Sequence, residues 1–234
     1  MTAAIMQPYF MPYIGYFQMV YAVDAFVFYD DVHYINRGWI NRNRILINGE
    51  ARYFTVPLTK ASQNKLINEI EIDLVGKEWK NLIKTIELAY KKAPFFEEIF
   101  PLTAQILEKE YTNIAELAKE SIVRVSDYLS ITTRFYTSST DFPESRGLDK
   151  AERLQAICKK INAEKYINAI GGQELYSKEE FFKEVIQLQF IKSLPIAYKQ
   201  FGNEFVPWLS ILDVLMFNSK EEVKKMLGKF ELLS

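Results

Sequence analysis

Short apolar segments alternate with helix-like segments along this chain, and this alternation restricts its fold more than any other feature. At the N-terminus, an apolar run at residues 3–6 leads through a proline-bracketed turn to a helical pattern at 13–23. A second apolar run follows at 25–29. Strand, loop, helix and strand in this order are typical of a βαβ unit, in which a helix joins two parallel strands.

The same alternation returns in the second half of the chain. Strand-like runs at 131–138, 166–170 and 187–191 are separated by a helical pattern at 149–161 and by a short helix that begins near Ser177. Repeated strand and helix units favour a sheet with helices on its faces. We therefore predict an α/β fold with a Rossmann-like, mostly parallel sheet flanked by helices.

The remaining patterns place further elements around this sheet. Residues 52–58 and 67–74 are rich in β-branched and aromatic residues or alternate with period two, which predicts a third and a fourth strand. Apolar residues at helical spacing predict a helical insert of three helices at about 77–129. The last substantial helix is expected at 205–217, followed by an amphipathic segment at 220–230.

Length and charge limit the organisation and the partners of the chain. With 234 residues, of which 49% are hydrophobic, residues 1–234 can bury a large core, and we expect a single α/β domain. The 29 basic and 30 acidic residues give a net charge of -1. This balance argues against nucleic acid as a partner.

Counts of particular residue types exclude several kinds of site. The single cysteine, Cys158, allows no internal disulfide, and the single histidine, His33, excludes a multi-histidine zinc site. We assign no residue to a metal site. No apolar run approaches the roughly 20 residues that span a bilayer, and no signal-peptide pattern opens the sequence. We expect a cytoplasmic protein with no membrane span.

Polar side chains are concentrated in the two segments that follow the first two predicted strands. Ligands of parallel α/β sheets bind at the carboxyl ends of the strands, so both segments should lie beside one site. The candidate residues are Gln7, Tyr9 and Tyr13 after the first strand, and Asp30, Asp31, His33, Arg37, Trp39, Asn41, Arg42, Asn43 and Arg44 after the second.

The acidic part of the second segment predicts acid–base chemistry. In an extended chain Asp31 and His33 point to the same side, so the carboxylate would orient the imidazole. Asp30 follows the strand directly and could hold a cation or a ribose hydroxyl. The alternative is that these carboxylates cap a turn or pair with a nearby arginine.

The basic part of the same segment predicts anion binding. Three arginines and three asparagines lie within nine residues, around Trp39. Guanidinium groups and amides in this density are suited to a phosphate, a carboxylate or a sugar. Structural salt bridges to Asp24, Asp30 or Asp31 are the alternative.

Four long segments of the chain resemble the WbqC-like family. They are IMQPYFMPYIGYFQMV, DAFVFYDDVHYINRGWINRNRI, FTVPLTKASQNKLINEIEI and YKQFGNEFVPWLSILDVLMFN. The family occurs with genes for O-antigen and other surface polysaccharides and is associated with the decoration of amino sugars. The resemblance covers essentially the whole chain, supports most of the residues named above, and adds Gln200 and Asp213 as site residues.

A weaker similarity concerns nucleotidylyltransferases that carry an HxGH motif after their first strand. Tyr13, Gly15 and Tyr16 occupy the corresponding positions here, with tyrosine in place of both histidines. Tyrosine, with a pKa near ~10, stays neutral and cannot supply a protonated imidazole. The similarity therefore implies a nucleotide-binding fold more than adenylyl transfer.

Together these features predict an enzyme of surface-polysaccharide biosynthesis that transfers an aminoacyl or acyl group to the amine of a nucleotide-linked amino sugar. Its partners would be a small-molecule substrate and, for the donor, an acyl carrier protein; the sequence names no cofactor. Two alternatives are an adenylate-forming nucleotidyltransferase and a non-catalytic module that binds a sugar nucleotide or a carrier protein.

Overall fold

A six-stranded sheet lies at the centre of the computed structural model, which describes residues 1–202 and 204–233. The strands, in chain order, are β1 (Thr2–Met6), β2 (Ala25–Phe28), β3 (Arg42–Ile47), β4 (Glu50–Thr55), β5 (Leu58–Thr59), β6 (Glu71–Ile72), β7 (Arg134–Thr137), β8 (Lys165–Ala169), β9 (Gln187–Ser193) and β10 (Phe230–Leu233).

The central sheet has the order β10-β9-β8-β1-β2-β7. Its strands pair in parallel except for β10, which runs antiparallel to β9. Counted by their appearance in this sheet, the strands follow the order 3-2-1-4-5-6 of doubly wound nucleotide-binding folds. The predicted Rossmann-like, mostly parallel α/β fold is confirmed, and its order reverses between β1 and β8.

Helices cover both faces of the sheet. They are α1 (Ile14–Tyr21), α2 (Lys77–Tyr90), α3 (Phe96–Glu108), α4 (Ile114–Tyr128), α5 (Ser138–Asp141), α6 (Lys150–Lys160), α7 (Lys178–Lys183), α8 (Ile211–Phe217) and α9 (Lys220–Leu227). Helices α2, α3 and α4 occupy the span predicted for the helical insert. That the whole chain forms one domain stays a prediction. Within the described ranges, no helix is long and apolar enough to cross a bilayer.

The period of two in the strands divides the core into two layers. In β2, Phe26 and Phe28 pack into the layer that contains α1, α4, α8 and α9. Ala25 and Val27 face the opposite layer, with α6 and α7. Successive side chains of a strand point to opposite faces, so each strand contributes to both layers.

The segments predicted as the third and fourth strands lie outside the central sheet. Residues 52–58 contribute to β4, which forms a hairpin with β3, and residues 67–74 form a 3₁₀ turn and the short β6, which pairs with β5. The turn of the hairpin is Asn48-Gly49, with φ of 52° and 80°. Asn-Gly is the sequence preferred for a two-residue hairpin turn, so a local signal for β3 was present.

The last long helix is shorter than predicted. Apolar residues begin at Phe205, but α8 begins only at Ile211. Pro207 has no N–H group, and Trp208 has a φ of 61°, outside the helical range. The segment before α8 is therefore free to line a cavity, as described below.

Candidate functional site

A cavity of about 260 Å³ lies beyond the carboxyl end of β1. We call it the Arg44 cavity, because Arg44 is the charged side chain of its lining in the described part of the chain. Aromatic rings form much of its wall. The lining residues are Tyr9, Pro12, Tyr13, Trp39, Asn43, Arg44 and Trp208. Five of them, Tyr9, Tyr13, Trp39, Asn43 and Arg44, were predicted from the sequence, and the fold brings these five together.

Strand β3 positions the polar side chains of this cavity. Asn43 is buried, and its Oδ1 accepts a hydrogen bond of 2.9 Å from the backbone N–H of Arg44. The Arg44 Nη2 donates to the carbonyl of Trp208 at 3.0 Å, and its guanidinium carbon lies 5.7 Å from the centre of the Trp39 ring. The buried Nε of Arg44 has no hydrogen-bond partner among the described residues.

The Arg44 guanidinium group is the clearest chemical feature of the Arg44 cavity, and its Nε–H is buried without a partner in the described residues. A buried donor without an acceptor loses its hydrogen bond to water and gains nothing in return. A guanidinium group binds carboxylates and phosphates through paired, charge-assisted hydrogen bonds. The arrangement is therefore suited to an anionic ligand held beside aromatic rings.

The segment before α8 forms another wall of the cavity and is hydrogen-bonded to β3. The Ser210 N–H donates to the Arg44 carbonyl at 2.8 Å, and the Ser210 Oγ donates to the Met11 carbonyl at 2.7 Å. The Ile211 N–H donates to the Pro12 carbonyl at 2.8 Å. These hydrogen bonds hold residues 210–211, from the C-terminal part of the chain, against residues 11–12 and Arg44, from the N-terminal part.

Two residues of this wall adopt a left-handed backbone conformation. Met11 has a φ of 42° and Trp208 a φ of 61°. Residues other than glycine, asparagine and aspartate rarely adopt such backbone angles. Strained residues of this kind are concentrated at functional sites.

Tyr13 borders a second cavity as well. This apolar cavity, of about 340 Å³, is lined by Tyr13, Ile14, residues 193–198, Phe205, residues 207–209 and Val214. It shares Tyr13 and Trp208 with the Arg44 cavity, and the centres of those two rings are 6.0 Å apart. The two rings thus lie between a cavity lined by Arg44 and Asn43 and a cavity with no charged side chain in its described lining.

The position of the Tyr13 ring depends on Gly15. A Cβ atom at Gly15 would lie 2.3 Å from the Tyr13 ring and 2.6 Å from the Ser193 Oγ. Burial raises the pKa of Tyr13, and hydrogen bonding to Ser193 lowers it to a smaller extent. Because the net shift is upward, Tyr13 stays protonated at neutral pH and can donate a hydrogen bond.

The other two predicted arginines do not line either cavity. Arg42 donates to the carbonyls of Arg37 and Gly38, and its guanidinium carbon lies 4.4 Å from the centre of the Tyr53 ring. Tyr53 in turn lies against Trp39, with ring centres 6.2 Å apart. Arg42 therefore supports the rim beside Trp39, while Arg37 is exposed and supplies a backbone acceptor.

Asp30 is a buried member of a hydrogen-bonded network at the carboxyl end of β2. Its carboxylate accepts hydrogen bonds from the Ser139 N–H, the hydroxyls of Ser138 and Ser139, and Lys119, at 3.0 to 3.3 Å. Both carboxylate oxygens therefore have partners in the protein. Such contacts favour a structural role for Asp30 over the catalytic role predicted from the sequence.

Asp31 belongs to the same network and is held by two arginines. It accepts from Ser138, from the Arg153 Nη2 at 2.7 Å and from the Arg146 Nε at 3.3 Å. Burial raises the pKa of Asp31, but these hydrogen bonds and the charge of Arg153 outweigh it, so the pKa is lowered overall. A carboxylate with a lowered pKa is a weak proton acceptor.

His33 does not form the predicted pair with Asp31. The hydrogen bonds of Asp31 go to Ser138, Arg146 and Arg153, whereas His33 is exposed and its backbone bridges Leu66. The sequence analysis gave pairing with an arginine as the alternative for these carboxylates, and Asp31 has this arrangement. Its partners are Arg153 from α6 and Arg146 from the loop before α6.

Asp213 and Gln200 lie in a buried cluster behind the apolar cavity. Asp213 accepts hydrogen bonds from the Tyr90 hydroxyl at 2.8 Å, the Tyr198 hydroxyl at 2.7 Å and the Gln200 Nε2 at 2.6 Å. Burial raises the pKa of Asp213, and these three hydrogen bonds lower it to a smaller extent. The cluster supports the cavity wall through Tyr198, which lines it.

Two further predicted residues lie near the site without lining it. Asn41 is buried, accepts from the Tyr34 hydroxyl at 2.9 Å and donates to the Val56 carbonyl at 2.9 Å. Gln7 is partly buried at the end of β1, where its carbonyl accepts from the Tyr16 hydroxyl at 2.9 Å. Asn41 therefore stabilises the loop before β3, and Gln7 stabilises the first turn after β1.

The sequence analysis did not predict Trp208, Ser193 or Tyr198 as site residues. Trp208 lies in one of the four quoted segments, directly after Pro207, and a proline there was a signal that the helix does not extend to it. Tyr198 is the first residue of the same quoted segment. Ser193 carried no local signal, because its place at the cavity depends on the packing of β9 beside α1. In the described residues, no group of three or more acidic, histidine or cysteine side chains could hold a metal ion.

Strand order and cavities define the class of protein. The sheet is doubly wound, and both cavities are bounded by loops at the carboxyl ends of β1 and β9, where such folds bind ligands. The chain belongs to the WbqC-like protein family, whose sequence model matches residues 7–225.

A relative from Mycobacterium tuberculosis (strain ATCC 25618 / H37Rv), "Uncharacterized protein Rv1507c", is 34% identical over 219 residues. The matched region covers 92% of each of the two chains. No solved structure matches the chain significantly.

Proposed function

We propose that this protein is a cytoplasmic transferase of surface-polysaccharide biosynthesis that attaches an acyl group to the amine of a nucleotide-linked amino sugar. The observation that carries the proposal is the convergence of Arg44, Asn43 and four aromatic rings around one cavity. Aromatic rings pack against sugar and base rings, and the guanidinium group binds the phosphate.

The adjacent apolar cavity supplies a place for the donor. In the proposed reaction, the sugar amine nitrogen attacks the carbonyl carbon of a thioester, and an amide C–N bond forms as the C–S bond breaks. The proton lost by the nitrogen ends on the released thiolate. A thioester is the donor class of this reaction, and an acyl carrier protein is the macromolecular partner that we propose to supply it.

We propose that Tyr13 contacts the reacting atoms as a hydrogen-bond donor. It borders both cavities, and its raised pKa keeps its hydroxyl protonated at neutral pH. A neutral hydroxyl can donate a hydrogen bond to the oxygen that becomes negative when the amine attacks the carbonyl. Asp30, Asp31 and His33, predicted as catalytic from the sequence, do not line either cavity.

Binding of a nucleotide-linked amino sugar tests the first part of the proposal. We expect UDP-glucosamine to bind the wild-type protein and Arg44→Ala to weaken binding at least tenfold, because a hydrogen bond to a charged group contributes about 1.5–3 kcal/mol. Isothermal titration calorimetry measures the dissociation constants. The control is Arg52→Ala, since Arg52 is exposed, pairs with Glu50 and lines neither cavity.

Two results would contradict this assignment. One is unchanged affinity in a folded Arg44→Ala protein; the other is the absence of binding in the wild type. Trp39→Ala provides a second variant, which removes a ring of the cavity and leaves the Arg44 hydrogen bond to Trp208 in place. Thermal unfolding without ligand shows whether each variant is folded.

Product formation separates a transferase from a binding module. Mass spectrometry of UDP-glucosamine incubated with acyl thioesters should show an amide product for the wild type and a strongly reduced yield for Tyr13→Phe. UDP-glucose, which lacks the amine, is the matched control and should give no amide. Tight binding without any product would favour the non-catalytic alternative.

One observation favours a second candidate function, nucleotidyl transfer. The strand order and its reversal between β1 and β8 are those of folds that bind nucleotides at this point. An adenylate-forming enzyme would release pyrophosphate from ATP in the presence of its acid substrate. A pyrophosphate assay with ATP and a panel of amino acids and fatty acids distinguishes it from the thioester-dependent transferase.

A further inference from the structure

Hydrocarbon forms nearly all of the wall of the apolar cavity. Pro195, Ile196 and Ala197 contribute from the loop after β9, and Phe205, Leu209 and Val214 contribute from the segment around the start of α8. The polar side-chain groups of the lining are the hydroxyls of Tyr13, Ser193 and Tyr198 and the indole N–H of Trp208, and the Tyr198 hydroxyl already donates to Asp213. All of these groups are uncharged at neutral pH.

No charged side chain lines this cavity in the described parts of the chain. Asp213 precedes Val214, but its oxygens accept hydrogen bonds from Tyr90, Tyr198 and Gln200 within the buried cluster. An ammonium group placed in the cavity would lose its water without finding a free carboxylate, which is strongly unfavourable. A chain that carries an ammonium group at its far end is therefore a poor occupant, and an uncharged chain is a good one.

The volume of the cavity sets the size of the chain. At about 30 Å³ for each group, the volume of one water molecule in the liquid, 340 Å³ holds on the order of ten methylene-sized groups. The shared Tyr13 and Trp208 place one end of the cavity beside Arg44. A chain of this length could thus lie in the cavity with its carbonyl end near the polar site.

We infer that the apolar cavity selects a medium-length aliphatic acyl group as the donor and excludes acyl groups whose far end carries a charge. This inference rests on the proposed acyl transfer and specifies its donor class. The absence of charged side chains from the described lining favours an uncharged chain over one that ends in an ammonium group.

Binding of linear carboxylates to the wild-type protein tests the inference. We expect affinity to rise about fourfold for each methylene added from butyrate to octanoate, as for the transfer of methylene groups out of water. The matched ω-amino acids, 6-aminohexanoate and 8-aminooctanoate, should bind at least tenfold more weakly than hexanoate and octanoate. Isothermal titration calorimetry at constant pH and salt gives both comparisons.

Variants of the cavity wall show where the chain binds. Ala197→Trp fills the cavity from an exposed position, and Ile196→Ser removes hydrocarbon from its wall; at least one should weaken octanoate binding tenfold or more. Val75→Trp is the control, because Val75 is exposed and lines neither cavity. Thermal unfolding identifies any variant that does not fold.

The outcomes separate this inference from the proposed function. Affinity that does not rise with chain length, equal binding of the ω-amino acids, or unchanged octanoate binding in both folded wall variants would overturn the inference. The proposed function is tested independently by UDP-glucosamine and Arg44→Ala. Chain-length-dependent binding without nucleotide-sugar binding would retain the acyl site and reject the amino-sugar acceptor.

Discussion

Asp31 shows how the role of one residue depends on partners that are distant in sequence. Its neighbours suggested a pair with His33, but its hydrogen bonds go to Ser138, Arg146 and Arg153. These residues follow Asp31 by more than a hundred positions, so no local pattern indicated them. Arg44, in contrast, lines a cavity as predicted, because it belongs to a segment whose polar residues were already grouped in sequence.

The lowered pKa of Asp31 leads to a pH-dependent prediction. We expect Asp31→Asn to lower the free energy of unfolding by about 3 kcal/mol at pH 7, because it leaves the buried Arg153 without its carboxylate. A carboxylate with a lowered pKa stabilises the fold above its unfolded value of about 3.9, and this contribution is lost as the pH falls through the folded pKa. The difference between the two proteins should therefore be constant from about pH 5 to 7 and shrink below about pH 4.

Urea unfolding at several pH values measures this difference. The control is Glu50→Gln, which removes the carboxylate of the exposed pair with Arg52 and should change stability little. A difference between wild type and Asp31→Asn that persists unchanged at pH 3 would show that the charge of Asp31 is not the cause.

At the level of elements, local patterns predicted most helices and five of the six strands of the central sheet within a few residues, and missed β10. Other errors lie where a backbone conformation ends an element. The left-handed conformation of Trp208 prevents α8 from extending back to Phe205. The Asn48-Gly49 turn joins β3 and β4 in a hairpin, although the segment that contains β3 was interpreted as a loop. Helix α7 is also followed by a residue in a left-handed conformation, Val185, which is of a type that rarely adopts one.

Val185 ends α7 in a left-handed conformation. Its φ is 62°, and its N–H donates to the Phe182 carbonyl at 2.9 Å, while the Ile186 N–H donates to the Phe181 carbonyl at 3.0 Å. This is the hydrogen-bond pattern of a Schellman motif, in which glycine is preferred. A β-branched residue is strained there, and Val185 has an 82% exposed side chain that contributes little packing.

We therefore expect Val185→Gly to raise the free energy of unfolding by roughly 0.5–1 kcal/mol, since relief of the left-handed strain exceeds the added entropy of the unfolded chain. Urea unfolding measures the change. Val75→Gly is the matched control: Val75 is also exposed but has no positive φ, so the same substitution should lower stability or leave it unchanged. A destabilised Val185→Gly protein would refute the strain argument.

At the level of the whole molecule, the sheet order brings distant segments to one edge. Tyr13 and Trp208 lie 195 positions apart and share two cavities, because the chain crosses from β7 to β8 and returns to the side of β1. The two core layers on either side of the sheet hold this arrangement. Cys158, in the layer formed with α6, provides a probe of that layer.

Cys158 should react with thiol reagents only when the fold opens. It is fully buried, and burial raises the pKa of its thiol to about 12, so almost no thiolate is present in the native state. We expect labelling by a thiol reagent at pH 8 to be at least a hundredfold slower than that of the urea-unfolded chain, with a midpoint in urea that matches the loss of circular dichroism.

Because the chain has one cysteine, the reaction reports a single position, and Cys158→Ser supplies the background. Native labelling at the rate of the unfolded chain would contradict the packing of α6 on the sheet. Addition of UDP-glucosamine should slow labelling further if it binds the folded state, because a ligand of the native state reduces the unfolded population.

Local sequence patterns were sufficient for the α/β class, the periodic strands and helices, and the residues that gather around β1 and β3, because these features depend on neighbours in the chain. The order of strands in the sheet determines the partners of Asp31, the contact of Arg44 with Trp208, and the separation of the Arg44 cavity from the apolar cavity. Contacts between residues separated by a hundred or more positions leave no periodic signal, so only the folded arrangement could decide them.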